Sequence, residues 1–195
     1  MNSNVFEVLG ATKSLLIGCG SNRQRKMGKL VASNLSDEER MLKPFSMQDW
    51  DLLTTLDINP CHNPDVVWDA ENIPLPFGDE EFDEIHAYDV LEHTGNQGDW
   101  RFFFDQWTDF HRILKPNGWV CGICPRHDSI WAWGDPSHKR VLTHASLVFL
   151  DQDEYVRQVG DTAMSDYRSR YRVCFKTRFV GMWSPDQWCF AVQKA

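Results

Sequence analysis

The 195-residue chain is long enough for one compact domain with a real core, and 42% hydrophobic with 25% charged residues is an ordinary balance for a soluble globular protein. Its formal net charge of -8 opposes nonspecific nucleic-acid binding, which rests on Lys and Arg contacts to phosphate, so nucleic acid is not an expected partner. No apolar run approaches a membrane span and the opening MNSNVFEVLG lacks a signal peptide's basic-then-apolar pattern, so the expectation is a cytoplasmic protein without a membrane partner.

In chain order, KSLLI (13–17) is a short apolar run ending in Gly18-Cys19-Gly20, which reads as a buried strand entering a glycine turn. Polar and basic residues from Ser21 to Lys29 suit a helix start with a solvated face. Ser36 before Asp37, Glu38 and Glu39 reads as a second helix N-terminus. Three further strands are expected at Leu52–Leu56, Val66–Trp68 and Glu84–Tyr88, and each runs out into an aspartate: Asp57, Asp69 and Asp89. In open α/β sheets, ligands sit at the carboxyl ends of the strands, where those acids fall.

Asp99 to Leu114 is the clearest helix. Phe103, Trp107, Phe110 and Leu114 recur at helical spacing, Asp99 is a good N-cap, and Pro116 and Gly118 follow as terminators. Trp119–Cys124 is a nearly continuous apolar strand, as in one buried on both faces. Its CxxC spelling, Cys121 and Cys124, has no second pair to complete a zinc site, and alternation points the two thiols to opposite faces, so they read as small core hydrophobes. From Pro125 to about Tyr171 the sequence is irregular, with a short helix near Thr143–Leu150. Two closing strands, Arg172–Val180 and Gln187–Gln193, suit an antiparallel pair at a sheet edge. The fold class is therefore α/β, a Rossmann-like, doubly wound and mostly parallel sheet. No repeat or Gly/Ser/Pro-rich linker divides the chain, so residues 1–195 are expected to form a single domain. Nine tryptophans suggest an aromatic core, an aromatic pocket, or both.

Gly18 and Gly20 let a ligand approach the backbone, and Asp57 at the next strand end can hold both hydroxyls of a ribose. Asp57 lies 37 residues beyond Gly20, well past the roughly 20 of a dinucleotide fold, which places an extra segment at about Lys26 to Trp50 in the first crossover.

Four blocks in this order, LLIGCGSN (15–22), LDINP (56–60), DAENIPLPFGDEEFDEIHAYDVLEH (69–93) and FHRILKPNGW (110–119), resemble class I methyltransferases that use S-adenosylmethionine (SAM), in the branch with a compact domain. The resemblance implies a sheet of about seven strands with the last antiparallel, and SAM as cofactor. It places Gly18, Cys19 and Gly20 along the methionine and ribose, Asp57 and Ile58 at the ribose, Asp69 and Ala70 at the adenine, and Tyr88 and Asp89 closing the pocket. Two departures stand out: Leu16 replaces an acid common in the first strand, and Asn22 replaces a third glycine, where a residue tolerant of positive φ is useful.

Methyl transfer from a sulfonium is an in-line displacement helped chiefly by positioning, and a general base is needed only when the acceptor loses a proton. His138 and His93 are the candidate bases, with Asp135 beside His138; His127 and His144 rank below them. Asp89-x-x-Glu92-His93 is similar to the E-x-x-E-H element of certain metal-assisted O-methyltransferases, but LEH endings are common without a metal, and no metal is expected. Residues at about 125–170, with Trp131, Trp133, Asp135, His138, Lys139 and Arg140, fall where the family places substrate-recognition loops, and Trp133 is expected to act on the acceptor and not on SAM. The reading is methyl transfer from SAM to an oxygen or nitrogen of a small-molecule acceptor, with oligomeric state left open. Its rivals are a SAM- or nucleotide-binding module without catalysis and a Rossmann-fold oxidoreductase.

Overall fold

The computed structural model describes residues 11–28 and 49–195, so the expected helix start at Ser36 lies outside the described residues. Seven strands form one sheet: β1 (Lys13–Ile17), β2 (Leu52–Asp57), β3 (Val66–Val67), β4 (Phe82–Tyr88), β5 (Leu114–Pro125), β6 (Phe175–Ser184) and β7 (Gln187–Lys194). Their order is β3-β2-β1-β4-β5-β7-β6. β1 to β5 pair in parallel, and β7 runs antiparallel to both β5 and β6.

The apolar strands behave as runs buried on both sides: four of the five β1 residues and six of the eight β7 residues are buried. β1 lies between β2 and β4, which makes it the topological switch point where an open α/β sheet has its ligand crevice. Register then sets the level of the crevice floor. Ile17 stands opposite both Leu56 and Ala87, so Gly18, Asp57 and the Tyr88–Asp89 step leave the sheet side by side.

Helix α1 (Trp100–Ile113) is capped by Asp99, whose carboxylate accepts from the Phe102 amide at 3.1 Å. It buries Phe104, Trp107, Phe110 and Ile113, with the Trp107 ring edge-on to Phe110 and Phe175 at 5.6 and 5.5 Å. This stripe is rotated from the expected one: Phe103 is only partly buried and Leu114 already belongs to β5, paired with Phe82. The helix passes straight into a strand, so Pro116 and Gly118 sit inside β5 beside Asn117, whose φ is +62°. Three shorter helices follow: α2 (Ile130–Gly134), α3 (His144–Val148), which starts from Thr143 near the expected position, and α4 (Gln152–Gln158). The segment expected to be irregular thus holds α2 and α4 as well, each too short to show a helical period.

Two hydrophobic clusters lie on opposite faces of the sheet. Cys124 packs in the larger with Trp107 and Phe110, and Cys121 in the smaller with Trp119 and Leu16. Leu16 is thus a core residue. Among the described residues no helix is long and apolar enough to cross a membrane.

Candidate functional site

Where β1, β2, β3 and β4 end, a cavity of about 620 Å³ opens, lined by Gly18, Gly20, Asp57, Ile58, Asp69, Ala70 and Asp89 together with His62, Trp68, Glu71, Val90, His93, Thr94, Ser137 and Lys139. Its floor needs glycine at two places. Gly18 has φ +62°, and a Cβ there would lie 2.5 Å from Val90 Cγ2. Gly20 has φ +52°, but a Cβ would meet no protein atom within 4 Å, so its backbone lies open.

Asp57 organises the floor. The residue is 6% exposed. Oδ2 accepts from the Gly20 amide at 2.8 Å, Oδ1 accepts from the Asn59 amide at 2.8 Å, and His62 Nδ1 lies 3.2 Å from Oδ1. Burial alone would raise this carboxyl's pKa, but the two amides and His62 outweigh it and hold the group below the usual carboxylate range. Asp57 is therefore an anion that still has acceptor positions to offer, since a carboxylate has about four lone-pair sites. Asp69 accepts from the Glu71 amide at 2.9 Å, which fixes its carboxylate at the far wall. Asp89 has φ +55°, a conformation that costs a non-glycine residue energy and that clusters at functional sites. Its two oxygens take Gln187 Nε2 and, at 3.3 Å, Lys26 Nζ.

A second cavity of about 410 Å³ adjoins the first and shares Asp89 and His93 with it. Glu92, Pro125, Trp131, Asp135, His138, Ser184, Asp186 and Gln187 complete its walls. All three residues expected to serve catalysis meet here: the rings of His93 and His138 are 4.7 Å apart, edge to face, and Asp135 Oδ2 is 3.8 Å from His138 Nε2. Glu92 is 2% exposed, and burial, reinforced by the charge of Asp89, pushes its carboxyl up to about 7.

Several residues fall elsewhere than expected. Cys19, in the turn after β1, and Tyr88, at the end of β4, line neither cavity: both pack in the smaller core cluster, where Tyr88 Oη accepts from the Met27 amide at 3.3 Å and lies 2.6 Å from His86 Nδ1. Trp133 is 70% exposed, with its indole donating to the His127 carbonyl, so Trp131 is the segment's cavity-lining tryptophan. Lys139 and Ser137 reach the first cavity, so this segment serves both. Arg140 lines neither of these two cavities: buried, it donates to Leu91 O, Thr94 Oγ1 and Gln106 Oε1 and clamps the segment to α1. Asn22 does not take positive φ; its Oδ1 accepts from the Gln24 amide. The basic stretch is not a solvated face throughout, since Arg25 pairs with the buried Glu84 and Lys26 with Asp89. His62, Glu71, Val90, Ser137 and Gln187 carried no sequence signal, lying in turns and loops or facing the site through register alone.

The family model described as "Methyltransferase domain" matches residues 15–122, more than half of the chain. No curated protein matches it in sequence. Among solved structures it is similar to a SAM-dependent methyltransferase from Archaeoglobus fulgidus, at TM-score 0.53 and 15% identity over 95% of this chain and 87% of that one. A putative methyltransferase from Haloferax volcanii, solved in complex with the methyltransferase activator Trm112, aligns at TM-score 0.54 and 13% identity over 94% and 83% of the two chains. The N-methyltransferase NodS from Bradyrhizobium japonicum, in complex with S-adenosylhomocysteine (SAH), aligns at 0.50 and 13% over 95% and 79%. Matched over its glycine turn, its strand-end acids and the start of β5, and folded on the same sheet, the chain belongs to the methyltransferase-domain family of SAM-dependent enzymes.

Proposed function

We propose that the enzyme moves the methyl group of SAM onto an oxygen or nitrogen of a small molecule, with SAM in the first cavity and the acceptor in the second. The observation that carries this reading is the junction between them: Asp89 and His93 line both cavities, so a donor and an acceptor meet at one place.

The first cavity fits SAM in size, being within the roughly 300–1,000 Å³ of small-molecule pockets, and in chemistry. The backbone open at Gly20 admits close approach, Asp57 has acceptor positions for the ribose diol, and Asp69 with the Ala70 amide suits the adenine edge. SAM supplies a methyl group on a sulfonium sulfur, ready for in-line displacement. The chain's part is mostly to hold two reactants in line, worth as much as about 7–11 kcal/mol when geometry is good. Trp131 gives the acceptor a rigid apolar wall. His138 Nδ1 faces the Ala132 carbonyl at 3.4 Å, which leaves Nε2 bare to take an acceptor proton, and the Asp135 carboxylate steadies the cation so formed. His93 holds the shared wall. Segment 125–170 is read as the substrate-recognition part of a single domain spanning residues 1–195, in a cytosolic enzyme.

The test is a screen of methyl-labelled SAM against fractionated metabolites, with Asp57→Ala as control. Label appearing in a small molecule, and lost in the control, supports the reading. Label found only in protein or nucleic acid overturns the acceptor class.

A further inference from the structure

Glu92, in the one-turn helix Leu91–His93 after β4, presents both carboxylate oxygens to the interior without a hydrogen-bond partner among the described residues, with the weakly donating Cys124 thiol beside it. A carboxyl buried in that position either keeps its proton or is matched by a compensating positive charge. Its neighbours offer two nitrogens. One ligand atom from each of Glu92, His93 and His138 lies within 4.8 Å of the others.

The imidazoles are set up in the same sense. His93 Nδ1 faces the Ser137 carbonyl at 3.2 Å and Ser137 Oγ at 3.1 Å, and His138 Nδ1 faces the Ala132 carbonyl. A carbonyl can only accept, so each ring carries its proton on Nδ1 and leaves Nε2 as a lone pair, the tautomer that outer-shell hydrogen bonds give to metal-ligating histidines. His138 is far from Glu92 in sequence but is sewn to it: the Lys139 and Arg140 amides donate to the Glu92 carbonyl at 2.8 and 3.2 Å. The Arg140 guanidinium, whose charge acts on Glu92, gives its hydrogen bonds to Leu91, Thr94 and Gln106 and not to that carboxyl, and Asp135 adds negative charge beside His138.

We propose that Glu92, His93 and His138 bind one divalent transition-metal ion at the junction of the two cavities. Two imidazole nitrogens and one carboxylate suit Zn²⁺, Mn²⁺ or Fe²⁺ better than Mg²⁺, which prefers oxygen. Asp89 is not one of the ligands, since its oxygens are taken by Gln187 and Lys26. Three protein ligands leave positions open toward the second cavity, where an acceptor hydroxyl or a water completes the shell. In this respect the inference rests on the proposed methyl transfer and refines its proton step. With His138 Nε2 on the ion, water in place of His138 would take the proton of a coordinated acceptor hydroxyl, and the hydroxyl oxygen would then bond the methyl carbon as the carbon–sulfur bond breaks and its electron pair passes to sulfur.

The test reads binding without SAM or an acceptor. Chelator-stripped full-length protein is titrated with Mn²⁺, Zn²⁺ and Mg²⁺ by equilibrium dialysis, and melting is followed with and without Mn²⁺. The expected result is one Mn²⁺ or Zn²⁺ per chain, a higher melting temperature with Mn²⁺, and affinity falling by at least about tenfold in Glu92→Gln and His138→Ala. His144→Ala, at an exposed position outside the cluster, should bind as the wild type does. Glu92→Gln is nearly isosteric, so it reports on the site even if His138→Ala fails to fold. Absence of stoichiometric binding in folded wild-type protein overturns the site, as does binding that survives Glu92→Gln or preference for Mg²⁺. SAH titrated into the same samples separates the two claims: SAH binding without cation binding overturns the metal site alone, and cation binding without SAH binding overturns the methyl-transfer site alone.

Discussion

Replacing Asp57 by alanine removes three things at once. The side chain accepts from two backbone amides, those of Gly20 and Asn59, and lies against His62 Nδ1. At 6% exposure, water restores these partners poorly, so two orphaned amides at about 1 kcal/mol each put the loss of folding stability near 1–3 kcal/mol. The proposed ribose contact is a separate loss. A hydrogen bond to a charged acceptor is worth about 1.5–3 kcal/mol, which is roughly 10- to 150-fold in affinity. SAH affinity is measured by calorimetry at a temperature where the variant is folded by circular dichroism, and stability by urea denaturation. Asp57→Asn, which keeps one carbonyl oxygen, should fall between wild type and alanine in both. Affinity for SAH within twofold of wild type in folded Asp57→Ala would refute the assignment of this cavity to the cofactor, whatever happens to stability.

Trp131→Ala should raise the acceptor's KM while changing SAH affinity less than about threefold, or 0.65 kcal/mol; Trp133→Ala, at a 70% exposed position, should change neither, and steady-state kinetics with calorimetry separates them. Gly18→Ala meets both a left-handed φ and Val90, so it should destabilise the fold by at least about 1–2 kcal/mol in urea, with partial relief in the Gly18→Ala, Val90→Ala double variant. Burial, helped by the charge of Lys194, pushes the His111 imidazole down to about 4. The unfolded chain then takes up a proton near its ordinary value of 6.5 before the folded one does, so the stability from this group is complete above that pH and is lost as pH falls toward 4. For this half-buried ring the loss is about 1–3 kcal/mol, and His111→Gln should flatten it in denaturation curves recorded between pH 7 and 4.5.

The frame of the fold was legible because its signals are local. A short apolar run that ends in an acid or a glycine marks a buried strand and its functional end, and Ile17, Leu56 and Ala87 show why those ends align: the parallel register puts them level. The α1 period was clear over fourteen residues, while α2, with five, and α4, with seven, are shorter than any periodicity can reveal. Which side of the sheet a strand-end residue faces is harder to read. Tyr88 and Asp89 are adjacent, yet one turns into the smaller core cluster and the other into both cavities. The Trp131/Trp133 pair failed for a related reason: the one-turn helix α2 separates residues that an extended loop would have placed on the same side. His93 and His138 stood out as residue types, but their meeting depends on Lys139 and Arg140 binding the Glu92 carbonyl, a tertiary contact with no sequence pattern.

A crystal structure with SAH bound tests the central claim most directly. The ribose hydroxyls should lie within hydrogen-bond distance of the Asp57 carboxylate, the adenine should sit by Asp69 and Ala70, and the sulfur should face the junction formed by Asp89 and His93. SAH seated in any other cavity, or with its sulfur turned away from His93 and His138, would contradict the division of the site into a donor cavity and an acceptor cavity.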